Sequence, residues 1–320
     1  MKKYLDETKF KALIQSTTFS AGGLLSPQQA DRFIDLVVDQ QVILKECDIR
    51  RMVTNSIELE RIGMQSRQMR KHNAGQAGTS ATITSSKRTL TLTEGKIWFE
   101  LDIRTLRRLT IESDGKDIEG ALLRHIMEMA AVAYGNDVED LGINGDVALD
   151  ADTYPFQTIT DGWLKIAKRD GHTYDIKGSV DYMETVFKNM LGLMPEQYLK
   201  NQSALRFYTT PAIRNAYVDQ IAQTGTAGSL PFLLGSVPPT YKDIPVVGVP
   251  SFPTGHIMLT LPKNLAFGID TQGIERDFDK KVVERVIQSV VIAPIGYQVA
   301  NEDAVVVGWD ETEPEPEPEP

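Results

Sequence analysis

The 320-residue chain has a single cysteine, Cys47, so no disulfide can close within it and no thiolate cluster can hold a metal. Histidine is nearly as scarce. The four are His72, His125, His172 and His256, and there is no H-E-x-x-H, C-x-x-C or G-x-S-x-G, so zinc and nucleophilic chemistry lose their usual carriers. Nothing approaches the roughly 18 consecutive apolar residues of a membrane span. Met1-Lys2-Lys3 leads into Tyr-Leu-Asp-Glu rather than an apolar segment, so neither a membrane-spanning nor a conventionally secreted protein is expected. Proline is rare early: only Pro27 and Pro155 precede Pro195, while nine fall from Pro195 to Pro262, marking a passage from long elements to short ones joined by turns. An excess of positive charge is missing too, and a net charge of −10 argues against a surface that grips nucleic acid all over.

What is present suffices for a core, with 41% hydrophobic and 24% charged residues. The charge is unevenly spread. Residues 50–110 hold 12 Lys/Arg against 5 Asp/Glu, a local +7, whereas residues 310–320 hold six acids and no base, which leaves −11 on the remainder. A short amphipathic stretch, Tyr4 to Ile14, leads into an aperiodic arm. Ser26, Pro27 and Gln29 then form an N-cap, first helical position and capping box, and Ala30, Phe33, Ile34, Val37 and Val38 recur at helical spacing. Ile57 and Leu59 alternate with Glu58 and Glu60; Ile97, Phe99, Leu101 and Ile103 alternate with Trp98, Glu100 and Asp102. These runs predict the two strands of a long β-hairpin, with a basic tip around His72–Thr82 that lacks any large apolar side chain. Such a ribbon is marginal alone and gains stability by lying on another molecule.

Asp117 opens a helix patterned by Ile118, Leu122, Ile126, Met129, Ala130 and Ala133 and continuing to about Leu141, a rod of roughly 35 Å at 1.5 Å per residue. It ends at Gly142-Ile-Asn-Gly-Asp, read as a sharp turn that glycine and asparagine permit. Further on, Val180–Leu191 and Pro211–Gln223 read as helices, and Leu205–Thr209, Ile257–Leu261 and Leu265–Ile269 as strands. Val286–Ile292 and Ala304–Val307 read as strands of one closing sheet, and the fold class is α+β. The tail, Glu313-Pro repeated to Pro320, has nothing apolar to bury and is expected to be an extended, solvated, polyproline-II-like strand.

Sites of chemistry are thin. His125-Ile-Met-Glu128 stops short of an inverted zinc motif at Met129. Gly115-Lys116-Asp117 lacks the upstream phosphate-loop glycine, since Thr110 stands there, and has Asp117 in place of the Ser or Thr. Gly225–Ser229 reads as a surface loop, Asp140, Asp146, Asp150 and Asp152 as a solvated acidic loop, and Cys47 as a small core residue. No catalytic, cofactor or metal residues are assigned. The basic residues Arg67, Arg70, Lys71, Lys87 and Arg88 flank the hairpin tip, which offers no aromatic ring to stack on bases. They are instead candidates for a subunit interface, the basic loop of one copy lying on the acidic body of the next.

In order, Leu24-Leu-Ser-Pro, Phe33-Ile, Ile49-Arg-Arg, the 50–108 loop, Asp117-Ile-Glu-Gly-Ala, Glu139-Asp-Leu-Gly-Ile-Asn-Gly-Asp, Ile244-Pro-Val-Val-Gly-Val-Pro and Val290-Val-Ile through Ile295-Gly-Tyr-Gln-Val-Ala-Asn-Glu-Asp resemble the major capsid proteins of tailed bacteriophages, which share the HK97-like fold. The resemblance spans about residues 24–307. It implies an N-terminal arm and first helix (1–49), an extended β-hairpin loop (50–108), a peripheral domain with a long spine helix (109–154), an axial domain (155–280), peripheral closing strands (281–307) and an acidic tail (308–320). It implies no enzymatic activity and no cofactor, but a virion subunit, assembled in the host cytoplasm, whose pentamers and hexamers tile an icosahedral head around DNA without sequence-specific binding. A portal and a decoration protein are expected partners. The spine pattern begins too early for an N-terminal scaffolding domain, so a separate scaffold protein is expected, or a chain already trimmed. Lys71, Lys87 and Lys96 are present, but none aligns with the lysine that some relatives use in an isopeptide crosslink. The alternatives are an encapsulin-like compartment shell and, from another class, an α+β metal-dependent enzyme using Asp150, Asp152 and His172.

Because the tail buries nothing, deleting residues 311–320 is expected to leave the melting temperature unchanged within about 1 °C, as measured by scanning calorimetry.

Overall fold

The computed structural model describes residues 23–24, 34–35, 37–38, 41–64, 83–102, 132–179, 181–223, 238–281 and 286–310. In chain order the strands are β1 (Gly23–Leu24), β2 (Asp48–Met52), β3 (Ser56–Met64), β4 (Ile83–Thr91), β5 (Thr93–Asp102), β6 (His172–Asp175), β7 (Arg206–Thr209), β8 (Thr240–Tyr241), β9 (Ile244–Gly248), β10 (Ile257–Thr260), β11 (Leu265–Asp270), β12 (Glu275–Lys281), β13 (Val286–Val299) and β14 (Val305–Trp309). Four helices matter here: α1 (132–144), α2 (Trp163–Asp170), α3 (Phe187–Leu193) and α4 (Pro211–Gln223).

One sheet runs β1-β12-β13-β11-β2, with β5 also on β13; a second runs β6-β14-β10-β7-β9-β8; β3 and β4 pair only with each other. The first sheet is organised by β13. Its residues Val286–Ile295 pair antiparallel with β5, while its other edge takes β12 at Val286–Ile292 and then β11 at Ile295–Val299. Pro294 falls in the gap between those two partners, where a residue without an N–H leaves no ladder bond unmade on that edge.

The second sheet is buried on both faces. Tyr208, Met258, Val305 and Val307 belong to the core shared with the first sheet, whereas Phe207, Ile257, Leu259 and Val306 belong to a second core under α3 and α4. Period-2 alternation is therefore present in space but hidden in the sequence, which shows only apolar runs. In the shared core Trp163 meets Tyr297 edge-on at 5.0 Å between ring centroids and Phe267 stacks on Tyr297 at 5.6 Å. Both polar tips are satisfied: the Tyr297 hydroxyl donates to the Val138 carbonyl of α1 at 2.6 Å, and Trp163 Nε1 donates to the Ala266 carbonyl at 3.0 Å.

Several expectations hold at the level of elements. α4 occupies Pro211–Gln223 as read, Ile34, Val37 and Val38 are buried, and Cys47 is a core thiol. Others need correction. The strand at 97–103 is not the hairpin partner of Ile57 and Leu59: β3 pairs with β4, and β5 lies on β13. β13 and β14 do not share a closing sheet, because β14 pairs with β10 and β6. The helix expected at 180–191 opens with a π-helical turn, Tyr182–Val186, whose first two N–H groups donate to the Gln220 side chain. The glycines at the α1 exit are needed for space rather than for a left-handed turn. Neither Gly142 nor Gly145 has positive φ; a Cβ on Gly145 would lie 2.2 Å from the Thr160 carbonyl oxygen, and one on Gly142 would lie 2.8 Å from both Trp163 and Tyr297. The N-terminal arm apart from Gly23–Leu24, residues 117–131 of the expected spine, the hairpin tip and residues 311–320 of the tail lie outside the described residues, and Gly308 and Trp309, read as the start of the tail, belong to β14.

Gly145→Ala is expected to cost about 2–4 kcal/mol in urea unfolding, because two backbone segments must part. Gly192→Ala, inside α3 and with nothing within 4 Å of where the added methyl group would sit, is expected to stabilise by about 0.5 kcal/mol in the same measurement.

Candidate assembly interface at the hairpin root

The β3–β4 ladder runs from Ser56 opposite Thr91 to Met64 opposite Ile83, so at about 3.4 Å per residue the ribbon is roughly 30 Å long. Alternation gives it two faces. Ile57, Leu59 and Arg61, with Arg88 and Leu90 opposite, face one way; Glu58 and Glu60, with Lys87 and Thr89, face the other. Leu59 and Leu90 are buried with Leu92, Met52 and Ala266 in a small satellite core that seats the ribbon on the outer face of the first sheet. That seat is floored by glycine. A Cβ on Gly268 would lie within about 3 Å of Leu90, Leu92 and Met52, and one on Gly296 would lie 2.1 Å from the Thr91 carbonyl oxygen. Burying the three leucines contributes roughly 1.5–3 kcal/mol each.

Beyond this pad the contacts are polar. Arg88 pairs with Asp170 at 2.8 Å and with Glu302, at 19% side-chain exposure for the arginine. Arg61 donates to Asn301, to Asp303 at 3.1 Å and to the Tyr198 hydroxyl at 3.1 Å. Burial works against the Arg88 charge, but the bonds to Asp170 and Glu302 more than offset it and hold its pKa above the ordinary value. Asp170 is held below the usual carboxylate range by Arg169 first and Arg88 second. On the outer face Lys87 bridges Glu58 at 2.6 Å and Glu60 at 3.1 Å, and these two acids raise its pKa in that order.

The structure thus separates the five basic residues picked out from the sequence. Lys87 is spent across the ribbon and Arg88 on the chain's own body, while Arg67, Arg70 and Lys71 lie outside the described residues. Sequence reasoning passed over Arg61, although its place two residues beyond Leu59 already puts it on the inner face. Its acceptors, and those of Arg88, are far away in sequence and left no local signal.

The other candidates resolve into local bonds. Asp140 accepts from Asn144 Nδ2 at 2.6 Å, Asp146 from Lys165 at 2.6 Å and Asp150 from the Thr153 hydroxyl at 2.7 Å. Among the described residues no group of three or more His, Cys, Asp or Glu is placed to hold a metal, and no helix is long and apolar enough to cross a membrane. His72, His125, the 115–117 segment and the 225–229 loop lie outside the described residues. Glu139, the first of the acidic pair at the α1 exit, is buried and accepts the backbone N–H groups of Val42, at 3.0 Å, and Ile43, and so ties the N-terminal segment to α1.

With two packed sheets, a two-stranded ribbon and a helix against the first sheet, the described residues have the HK97-like capsid fold. A chain of the satellite phage P4 procapsid superimposes with a TM-score of 0.68 at 16% identity, covering 96% of this chain and 98% of that one. A chain of the capsid of a native GTA particle gives 0.54 at 13% identity, covering 93% and 94%. In sequence, the chain is 29% identical over 310 residues to YqbE of Bacillus subtilis (strain 168), described as a prophage capsid protein, covering 92% of this chain and 95% of that one. No family model matches the chain. The chain thus has the fold of phage capsid proteins and resembles a prophage capsid protein over nearly the full length of both chains.

Two groups near these elements give the fold its acid response. Burial first, and Lys168 in addition, outweigh a bond to the Thr254 carbonyl and depress His256 to about 4. A histidine that resists protonation when folded loses stability as pH falls from its unfolded value, near 6.5, to about 4. The depressed Asp170 acts lower, its contribution being lost only as pH falls below the ordinary carboxylate range through its folded value. Glu139, Asp137 and Asp140 are raised chiefly by burial and act in the opposite sense, so the informative quantity is a difference between two proteins. The stability of His256→Asn minus that of the parent is expected to grow as pH falls from 6.5 to 4, by about 2 kcal/mol, in denaturant titrations.

Proposed function

We propose that this chain is the shell subunit of a phage head, a structural protein whose copies form pentamers and hexamers that close an icosahedral capsid around DNA. The observation that carries the reading is likeness to a prophage capsid protein over nearly the whole of both chains, joined to the same fold. The physics supports it. Among the described residues β3 and β4 pair with no other strand, and a ribbon with unpaired outer edges suits a part made to lie on a second copy. Trp98, 54% exposed on β5 and opposite Val290 in the ladder, offers an apolar patch for the same kind of contact. Each interface can be weak, because a closed shell repeats it many times.

In this reading the β3–β4 ribbon is the extended loop, the first sheet with α1 belongs to the peripheral domain, and the second sheet with α3 and α4 belongs to the axial domain, so the bounds 50–108 and 155–280 read from the sequence are too wide. The partners are other copies of the chain, with a scaffold, a portal and a decoration protein at particular places and packaged DNA nearby. Arg67, Arg70 and Lys71 at the tip are the basic residues that would reach a neighbour, and the tail stays solvated. The encapsulin-like alternative shares the fold; the sequence likeness to a prophage protein favours the phage reading.

Expressed with and without a scaffold protein from the same phage, the chain is expected to give closed shells or capsomers in electron micrographs and a mass far above 35.6 kDa by light scattering. A monomer under every condition would overturn the reading, and shells loaded with a cargo enzyme instead of DNA would favour the alternative.

A further inference from the structure

The ribbon meets the body through two unlike contacts in series. At the root is the leucine pad of Leu59, Leu90 and Leu92, seated over glycine. Apolar contact of this kind is non-directional and tolerates a change of angle. Beside it and just beyond, the hold is directional: Arg88, opposite Leu59 in the ladder, on Asp170 and Glu302, and Arg61, two residues farther out, on Asn301, Asp303 and Tyr198. Two open cavities of about 330 and 370 Å³ flank the Arg61–Asn301 contact, each walled by ribbon residues on one side and by Ala300 and Asn301 on the other. One cavity therefore lies between the two arginine contacts and the other on the far side of Arg61, so the polar seam is not close-packed and leaves the ribbon room to move.

The acceptors are also placed where the two sheets join. Asp170 ends α2 and leads into β6 of the second sheet, and Asn301–Asp303 form the turn that carries the chain from β13 of the first sheet to β14 of the second. We infer that Arg61 and Arg88 are a latch: closed, they set the angle at which the hairpin leaves the body, and open, they let it rock on the leucine pad to a second position. A displacement of one sheet against the other moves the acceptors relative to the ribbon and so biases the latch. The use of such a device rests on the shell reading, since one sequence must then fill non-equivalent places with one hairpin. The latch itself does not.

The test uses the full chain with nitroxide labels at Glu60→Cys on the outer face of the ribbon and Asp152→Cys on the body. Cys47 is buried with its thiol pKa pushed up to about 12 by that burial, so it stays unlabelled. Pulsed electron resonance is expected to give one narrow distance in the labelled parent. In Arg61→Gln/Arg88→Gln a second, shifted distance should appear in about a tenth or more of the molecules. Asp170→Ala/Asp303→Ala, which keeps both arginines and removes one carboxylate partner from each, should produce the same second distance. A single unshifted distance in both double variants overturns the inference whether or not the protein forms shells, and absence of shells with a latch that opens counts only against the shell reading.

Discussion

Strand β13 is the constraint on which the rest of this structure depends. Its 14 residues hold β5 on one edge and both β12 and β11 on the other, so three separate segments of the chain are brought into one sheet by a single strand. Its inner face carries Tyr297, which stacks with Phe267, meets Trp163 and reaches the backbone of α1. Its outer face carries Gly296, where Thr91 comes too close for any side chain. The long helix and the hairpin thus rest on opposite faces of the same strand, and the position of one is referred to the other through it.

That arrangement explains why small residues and buried polar groups are placed where they are. Gly142 and Gly145 let α1 end against Trp163 and Tyr297, and Gly268 and Gly296 let the hairpin root lie flat. Glu139 costs desolvation by being buried, and its pKa is raised for that reason, yet it satisfies backbone donors some 97 residues away that would otherwise be orphaned. The polar cost is local and the return is positional: the N-terminal segment is fixed to the helix.

The elements were more legible than their pairing. α4 could be bounded from its Thr-Pro start, and β7, β10 and β11 from apolar runs between turn residues. β4 could not, because Ile83-Thr-Ser-Ser-Lys-Arg-Thr-Leu-Thr has only two large apolar residues and reads as a loop, while the cleaner alternation of β5 drew the hairpin pairing to itself. What made β4 a strand is Leu90 in the satellite core and the ladder with β3, and both are tertiary facts. The same holds for the site. Arg88 stood out as a basic residue near a basic tip, but its partners lie 82 and 214 positions away, and nothing local distinguishes a base kept for a neighbour from one spent at home.

The charge pattern changes meaning once those pairs are known. Of the 12 bases in residues 50–110, Arg50, Arg51, Arg61, Lys87 and Arg88 are engaged with acids of the same chain. The local excess of +7 therefore does not act as one uniform electrostatic handle. Arg61 and Arg88 act at short range in partly desolvated pairs, where salt screens less, and hold the hairpin to the body, whereas Arg50, Arg51 and Lys87 pair at the exposed surface. At least five of the twelve bases thus serve the chain's own fold: two arginines hold the hairpin against the body, and Lys87 ties its two strands together.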